Sequence, residues 1–102
     1  MAMYFTANLE VRAEFIEKFC QTMTEVIPIM EKFGWKLVAA YSNVTGTLGG
    51  FVDLWEIRDA NMLPEGLAFL HGHPQFPRFS KVFAEAIISE KLTLLNKASY
   101  SP

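Results

Sequence analysis

Two apolar runs, Gly34-Trp-Lys-Leu-Val-Ala-Ala-Tyr41 and Phe51-Val-Asp-Leu-Trp-Glu-Ile57, flank the glycine-rich turn Thr45-Gly-Thr-Leu-Gly-Gly50. Their lengths and their β-branched and aromatic content predict neighbouring antiparallel strands. Alternation places Trp35, Leu37, Ala39 and Tyr41 on one face of the first run, with Val38 and Ala40 on the other. On the second run Phe51, Asp53, Trp55 and Ile57 share a face, and Val52 and Leu54 oppose them. A half-wet antiparallel sheet shows apolar residues on one face only, and this hairpin shows them on both. Helices of the same chain would cover one face, so a second subunit's sheet is the expected cover for the other. A symmetric homodimer is the resulting expectation.

Outward from the hairpin, Tyr4-Phe-Thr6 suggests a first strand ending near Asn8. From about Glu10 to Phe33, apolar residues from Val11 through Phe15, Phe19, Met23, Val26 and Met30 recur at helical spacing. Pro28 interrupts that pattern and predicts a kink or break, and Gly34 is a ready C-cap. Cys20 falls on the broad apolar stripe and reads as a buried, inert thiol. After the hairpin, Asp59 offers an N-cap for a short helix over about Ala60 to Leu70. Pro74 suits the first turn of another helix, which carries Phe76, Phe79, Val82, Phe83, Ala86 and Ile87 on one face. Ser89 to Leu95 alternates as a last strand. The order β-α-β-β-α-β, with its second helix in two pieces, predicts an α+β, ferredoxin-like split β-α-β fold with an antiparallel sheet. All 102 residues read as one domain.

Composition bounds the function. Hydrophobic residues make up 51% and charged residues 20%, an apolar excess for so small a chain that again favours an oligomer. A net charge of −2 without a Lys/Arg cluster argues against nucleic acid, whose binding rests on phosphate neutralisation. No run approaches the roughly 20 apolar residues of a membrane span. The first residues carry no basic stretch typical of a secretory signal, and the single cysteine fits a reducing compartment, so a cytoplasmic location is expected.

Several short motifs resemble the NIPSNAP-like proteins of the dimeric α+β barrel superfamily. They are Ile27-Pro-Ile-Met-Glu-Lys-Phe-Gly34, Lys36-Leu-Val38, Gly46, Leu54-Trp-Glu-Ile57, and Pro74 with Phe76. The resemblance implies a homodimer whose two sheets close into a barrel, with pockets between each sheet and its helices. The superfamily spans cofactor-free monooxygenases, isomerases, cyclases and haem-binding proteins, so function does not transfer with fold. The chain also departs from the pattern. Asp53 stands where the NIPSNAP-like strand often has histidine, and Val44 where an acidic residue often precedes the turn glycine.

Asp53 is the principal candidate for chemistry. A carboxylate among Val52, Leu54 and Trp55 is expected to have a raised pKa suited to a general base or acid, unless a cation pairs with it. Tyr41 on the adjoining strand and His71 near the helix junction are the candidates to orient or protonate a substrate, with Trp55, Asn8 and Phe51 lining its pocket. His71 and His73 alone do not make a metal site, and no phosphate loop is present, so neither metal nor cofactor is expected. The expected function is binding or converting a small hydrophobic or aromatic metabolite by isomerisation, cyclisation or cofactor-free oxygenation. Two alternatives stand beside it. Asn8, Trp55 and His71 or His73 match, in kind and order, the Asn, Trp and His of antibiotic-biosynthesis monooxygenases and haem-degrading relatives. Otherwise the chain is a non-catalytic dimeric module whose cavity is filled by its own side chains.

Overall fold

The structure, a computed structural model, describes residues 2–102. Its elements are β1 (Met3–Val11), a 3-10 turn (Ala13–Phe15), α1 (Ile16–Phe33), β2 (Lys36–Ser42), β3 (Gly50–Ile57), α2 (Met62–His71), α3 (Phe76–Ala86) and β4 (Ile87–Leu95). The four strands form one antiparallel sheet in the order β2-β3-β1-β4. This is the expected α+β, ferredoxin-like arrangement. Helices cover one face only, so the molecule is 18 Å thick in its least dimension, about one sheet layer and one helix layer.

The covered face of β1 carries Phe5, Ala7, Leu9 and Val11, all buried. Glu10 and Val11, expected in the first helix, therefore extend the strand, and α1 starts only at Ile16. The buried stripe of α1 is Phe19, Thr22, Val26 and Met30. Thr22 is accommodated there because its hydroxyl donates to the Lys18 carbonyl at 2.9 Å. Cys20 lies a helical step of 100° from Phe19, and its thiol is exposed, contrary to the buried thiol expected. Pro28 does not break α1. It sits on the exposed side, where the Thr24 carbonyl it leaves without an N–H meets solvent.

Gly34 ends α1 at φ 127°, a conformation glycine adopts without cost, and its N–H reaches the Met30 and Glu31 carbonyls at 3.1 Å. The turn delivers Trp35 into the core, where its indole N–H donates to the Met62 carbonyl at 2.7 Å. Phe5, Trp35 and Trp55 pack into one aromatic cluster, with ring centroids 4.8–6.2 Å apart. At the other end of the core Phe19 packs on Phe51 and Phe83.

The proline that opens α3 is Pro77, three residues after the expected Pro74. Pro74 lies in the preceding turn, and Pro77 fills the first helical positions. Asp59 is not the N-cap of α2, which starts at Met62 with Asn61 at that position; its carboxylate instead accepts from the Asn61 N–H at 3.0 Å in the turn before the helix. Arg78 of α3 joins Glu25 of α1 through two hydrogen bonds of 3.0 and 2.8 Å, which tie the helices together above the sheet.

The parity read for β2 is overturned. A bulge at Val38 makes Leu37 the partner of Trp55 and Ala39 the partner of Leu54. Beyond it every side chain changes face. Tyr41 stands opposite Val52 on the uncovered face and is 62% exposed. The two-sided hydrophobicity is also confined to half the sheet. Ala39, Tyr41, Val52 and Leu54 make an apolar outer patch on β2 and β3, whereas β1 and β4 present Thr6, Asn8, Ser89, Lys91 and Thr93 there.

Candidate functional site

Between the sheet and the helices lies a cavity of about 180 Å³. Its walls are apolar: Phe5, Ala7 and Leu9 of β1, Phe19, Met23, Val26 and Met30 of α1, and Trp35, Leu67, Leu70, Phe76, Phe83 and Leu92 from the rest of the chain. Among the described residues three titratable side chains line it, Asp53 of β3, His71 of α2 and Glu90 of β4. An engineered cavity of about 150 Å³ holds benzene, so this space suits one ring with a short substituent.

Asp53 projects to the covered face because β3 alternates strictly, with Asp53, Trp55 and Ile57 buried and Leu54 and Glu56 facing out. Its residue is 6% exposed, and among the described residues no hydrogen bond or ion pair engages its carboxylate. Among the described residues no side-chain oxygen or nitrogen is sealed in the interior without a partner. The unpaired carboxylate oxygens therefore look into the cavity space. Burial pushes the Asp53 carboxyl up to about 6, and the charge of Glu90 adds to the rise. At pH 7 the group is mostly ionised, yet protonation is within easy reach.

Glu90 was not singled out from the sequence. Alternation was the available signal, because Glu90 shares a face of β4 with Leu92 and Leu94. Glu90 is an exposed residue of the edge strand, and the burial its carboxyl does have raises it. Asp53 pairs with Ala7 across β3–β1, and Ala7 pairs with Leu92 of β4, two residues from Glu90. Strand spacing and rise separate the Asp53 and Glu90 backbones by about 12 Å, with Ala7, the partner of Asp53, and Leu9, the partner of Glu90, between them on that face.

His71 ends α2, and its ring lies 4.7 Å from that of Phe76 at the cavity wall. Asp53, Trp55 and His71 are thus brought to one cavity. The other named residues are not. Tyr41 is on the opposite face of the sheet. Asn8 and Phe51 line an open depression at the end of the sheet, with Asn43 and Lys91, which borders the cavity at Leu9 and Glu90. His73 accepts the Gln75 N–H on Nδ1 at 3.0 Å and serves the helix junction. Asn43 donates to the Thr47 carbonyl at 3.0 Å within its loop. Among the described residues no three His, Cys, Asp or Glu side chains gather as a metal site, and no helix is long and apolar enough to cross a membrane.

No family model and no curated protein matches the chain. Solved structures do share its architecture from end to end. An uncharacterised NIPSNAP domain protein from Burkholderia xenovorans superposes with a TM-score of 0.81 at 18% identity, covering 98% of both chains. A NIPSNAP family protein from Agrobacterium tumefaciens gives 0.85 at 14% identity, covering 100% of this chain and 98% of that one. An antibiotic biosynthesis monooxygenase gives 0.70 at 15% identity, covering 94% of this chain and 98% of that one. The fold is the small α+β ferredoxin-like fold of the NIPSNAP domain proteins, and the resemblance carried by the sequence motifs holds at that level.

Proposed function

We propose that the chain is a NIPSNAP-like dimeric α+β barrel protein of the cytoplasm that takes one small hydrophobic, single-ring metabolite into its sheet–helix cavity. Asp53 exchanges a proton with that molecule, and His71 orients or protonates it from the cavity wall. The observation that carries this reading is a buried carboxylate without a cation, open to an apolar cavity. Evolution toward stability alone would pair or remove such a charge, because burying it costs free energy. An unpaired, raised carboxyl is instead the arrangement a general base near neutral pH requires. Isomerisation or cyclisation through proton abstraction fits these parts. The monooxygenase-type reading loses its Asn, since Asn8 and Trp55 project to opposite faces. The filled-cavity module finds no support in the open volume.

Dimerisation rests on the uncovered sheet face with its apolar patch at Val52 and Leu54. Indole NMR tests the cavity reading. The two tryptophans give two N–H signals, and Trp35 is already bonded to Met62. Titration with single-ring aromatic compounds is expected to shift the Trp55 signal and the His71 ring signals together. A panel that perturbs neither would refute the proposal.

A further inference from the structure

The cavity's polar content has one sign. Asp53 lines it from the buried interior and Glu90 from the exposed edge strand β4, and among its lining residues no lysine or arginine answers them. Its other walls are aromatic or aliphatic, including the indoles of Trp35 and Trp55. Asp53 is more than nine-tenths buried, lacks a partner and faces the empty volume. A buried carboxylate in apolar surroundings is stabilised most by a cation that brings its own apolar body, and indole faces add attraction for that cation.

We propose that the ligand is a small organic cation, a primary ammonium on a single-ring or branched aliphatic body, whose nitrogen sits on the buried Asp53 carboxylate, with Glu90 adding negative charge from the sheet edge. This rests on the cavity reading above and names its substrate class. The Ala7 methyl leaves room beside the Asp53 carboxylate for the ammonium, while the ring lies toward Trp55 and Phe5. The cation also favours the ionised, proton-accepting form of Asp53. An anionic ligand of the same shape meets two carboxylates and is rejected.

The titratable groups facing Asp53 within the cavity are Glu90 from β4 and His71 from α2, while β1, α1 and α3 contribute only apolar side chains. Lowering the pH neutralises the Asp53 carboxylate and so weakens binding of a cation. Affinity is expected to rise roughly tenfold from pH 5 to pH 7 and to level off above, following a carboxyl near 6.

Isothermal titration at pH 7 compares 2-phenylethylamine, 2-phenylethanol and phenylacetate. The amine is expected to bind at least tenfold tighter than the alcohol, and phenylacetate tenfold weaker. Asp53→Asn should remove the amine's advantage while retaining the alcohol, which shows that the cavity is intact. Glu90→Gln should reduce the advantage several-fold. Equal binding of amine and alcohol, or binding of phenylacetate as tight as either, would overturn the charge preference and leave the cavity reading standing. Failure of all three to bind would overturn both.

Discussion

Asp53 and Ala7 are register partners across β3 and β1, and the alanine is what keeps the space beside the carboxylate open. Every other covered position of β1 is large: Phe5, Leu9 and Val11. A bulky side chain at position 7 would occupy the volume that a ligand needs. Ala7→Val is therefore expected to keep the fold, at a cost of about 1–3 kcal/mol for added bulk, and to abolish the ligand-induced rise in melting temperature. Differential scanning fluorimetry with and without a saturating single-ring compound reads both effects. An undiminished ligand shift in the variant would place binding elsewhere.

The raised Asp53 carboxyl makes a second expectation with a definite sign. Its folded-state pKa of about 6 exceeds the ordinary 3.8, so the folded protein holds its proton more tightly than the unfolded chain. Asp53 therefore burdens stability little below pH 4, increasingly between 4 and 6, and fully above. At about 1.4 kcal/mol per pH unit the full penalty is at most about 3 kcal/mol, less what water in the cavity screens. Asp53→Asn should raise the melting temperature at pH 7.5 and leave it nearly unchanged at pH 4. A variant less stable at pH 7.5 would reveal a hidden partner for the carboxylate.

The strand carrying Asp53 was legible because strict alternation separates Asp53, Trp55 and Ile57 from Val52 and Leu54, and the structure keeps that division. Tyr41 was not legible. One extra residue at Val38 reverses the facing of everything after it, and nothing in Leu37-Val-Ala-Ala-Tyr41 marks the bulge. Cys20 failed for a different reason: nine apolar positions on α1 make a stripe wider than the groove it fills, and residues at its margin stay in solvent. Glu90 was readable from the parity of Leu92 and Leu94, but a glutamate between Ser89 and Lys91 resembles the polar start of a strand. Even the correct strands could not disclose the Asp53–Glu90 approach, which depends on the order β3-β1-β4.

Gly66 and Trp35 show how closely α2 is seated. A Cβ on Gly66 would run into the six-membered edge and nitrogen of the Trp35 indole, whose N–H is held by the Met62 carbonyl in the same helix. In an open helix Gly→Ala stabilises by about 1 kcal/mol. Here the methyl must push the indole off its hydrogen bond and out of the aromatic cluster. Gly66→Ala is expected to destabilise the fold by roughly 2 kcal/mol net, a fall of about 4–8 °C in melting temperature per kcal/mol. A neutral or positive change in a thermal melt would mean that the helix slides away without loss.

Leu54 tests the other side of the sheet. It lies half-buried on the uncovered face, opposite Thr6 of β1 and Ala39 of β2, near the middle of the apolar patch. Four strands of seven to nine residues present about 600 Å² on that face, so two sheets in contact would bury about 1,200 Å², the lower range of a stable interface. With so little area to spare, one buried unpaired charge exceeds what the contact can absorb. Light scattering at tens of micromolar is expected to give twice the chain mass for the native protein and the single mass for Leu54→Glu. Because the substitution leaves the covered face untouched, the Trp55 indole should still respond to ligand in the monomer if each cavity is complete within one chain. A native protein of single-chain mass would remove the dimer, and a dimeric Leu54→Glu would move its interface away from the sheet.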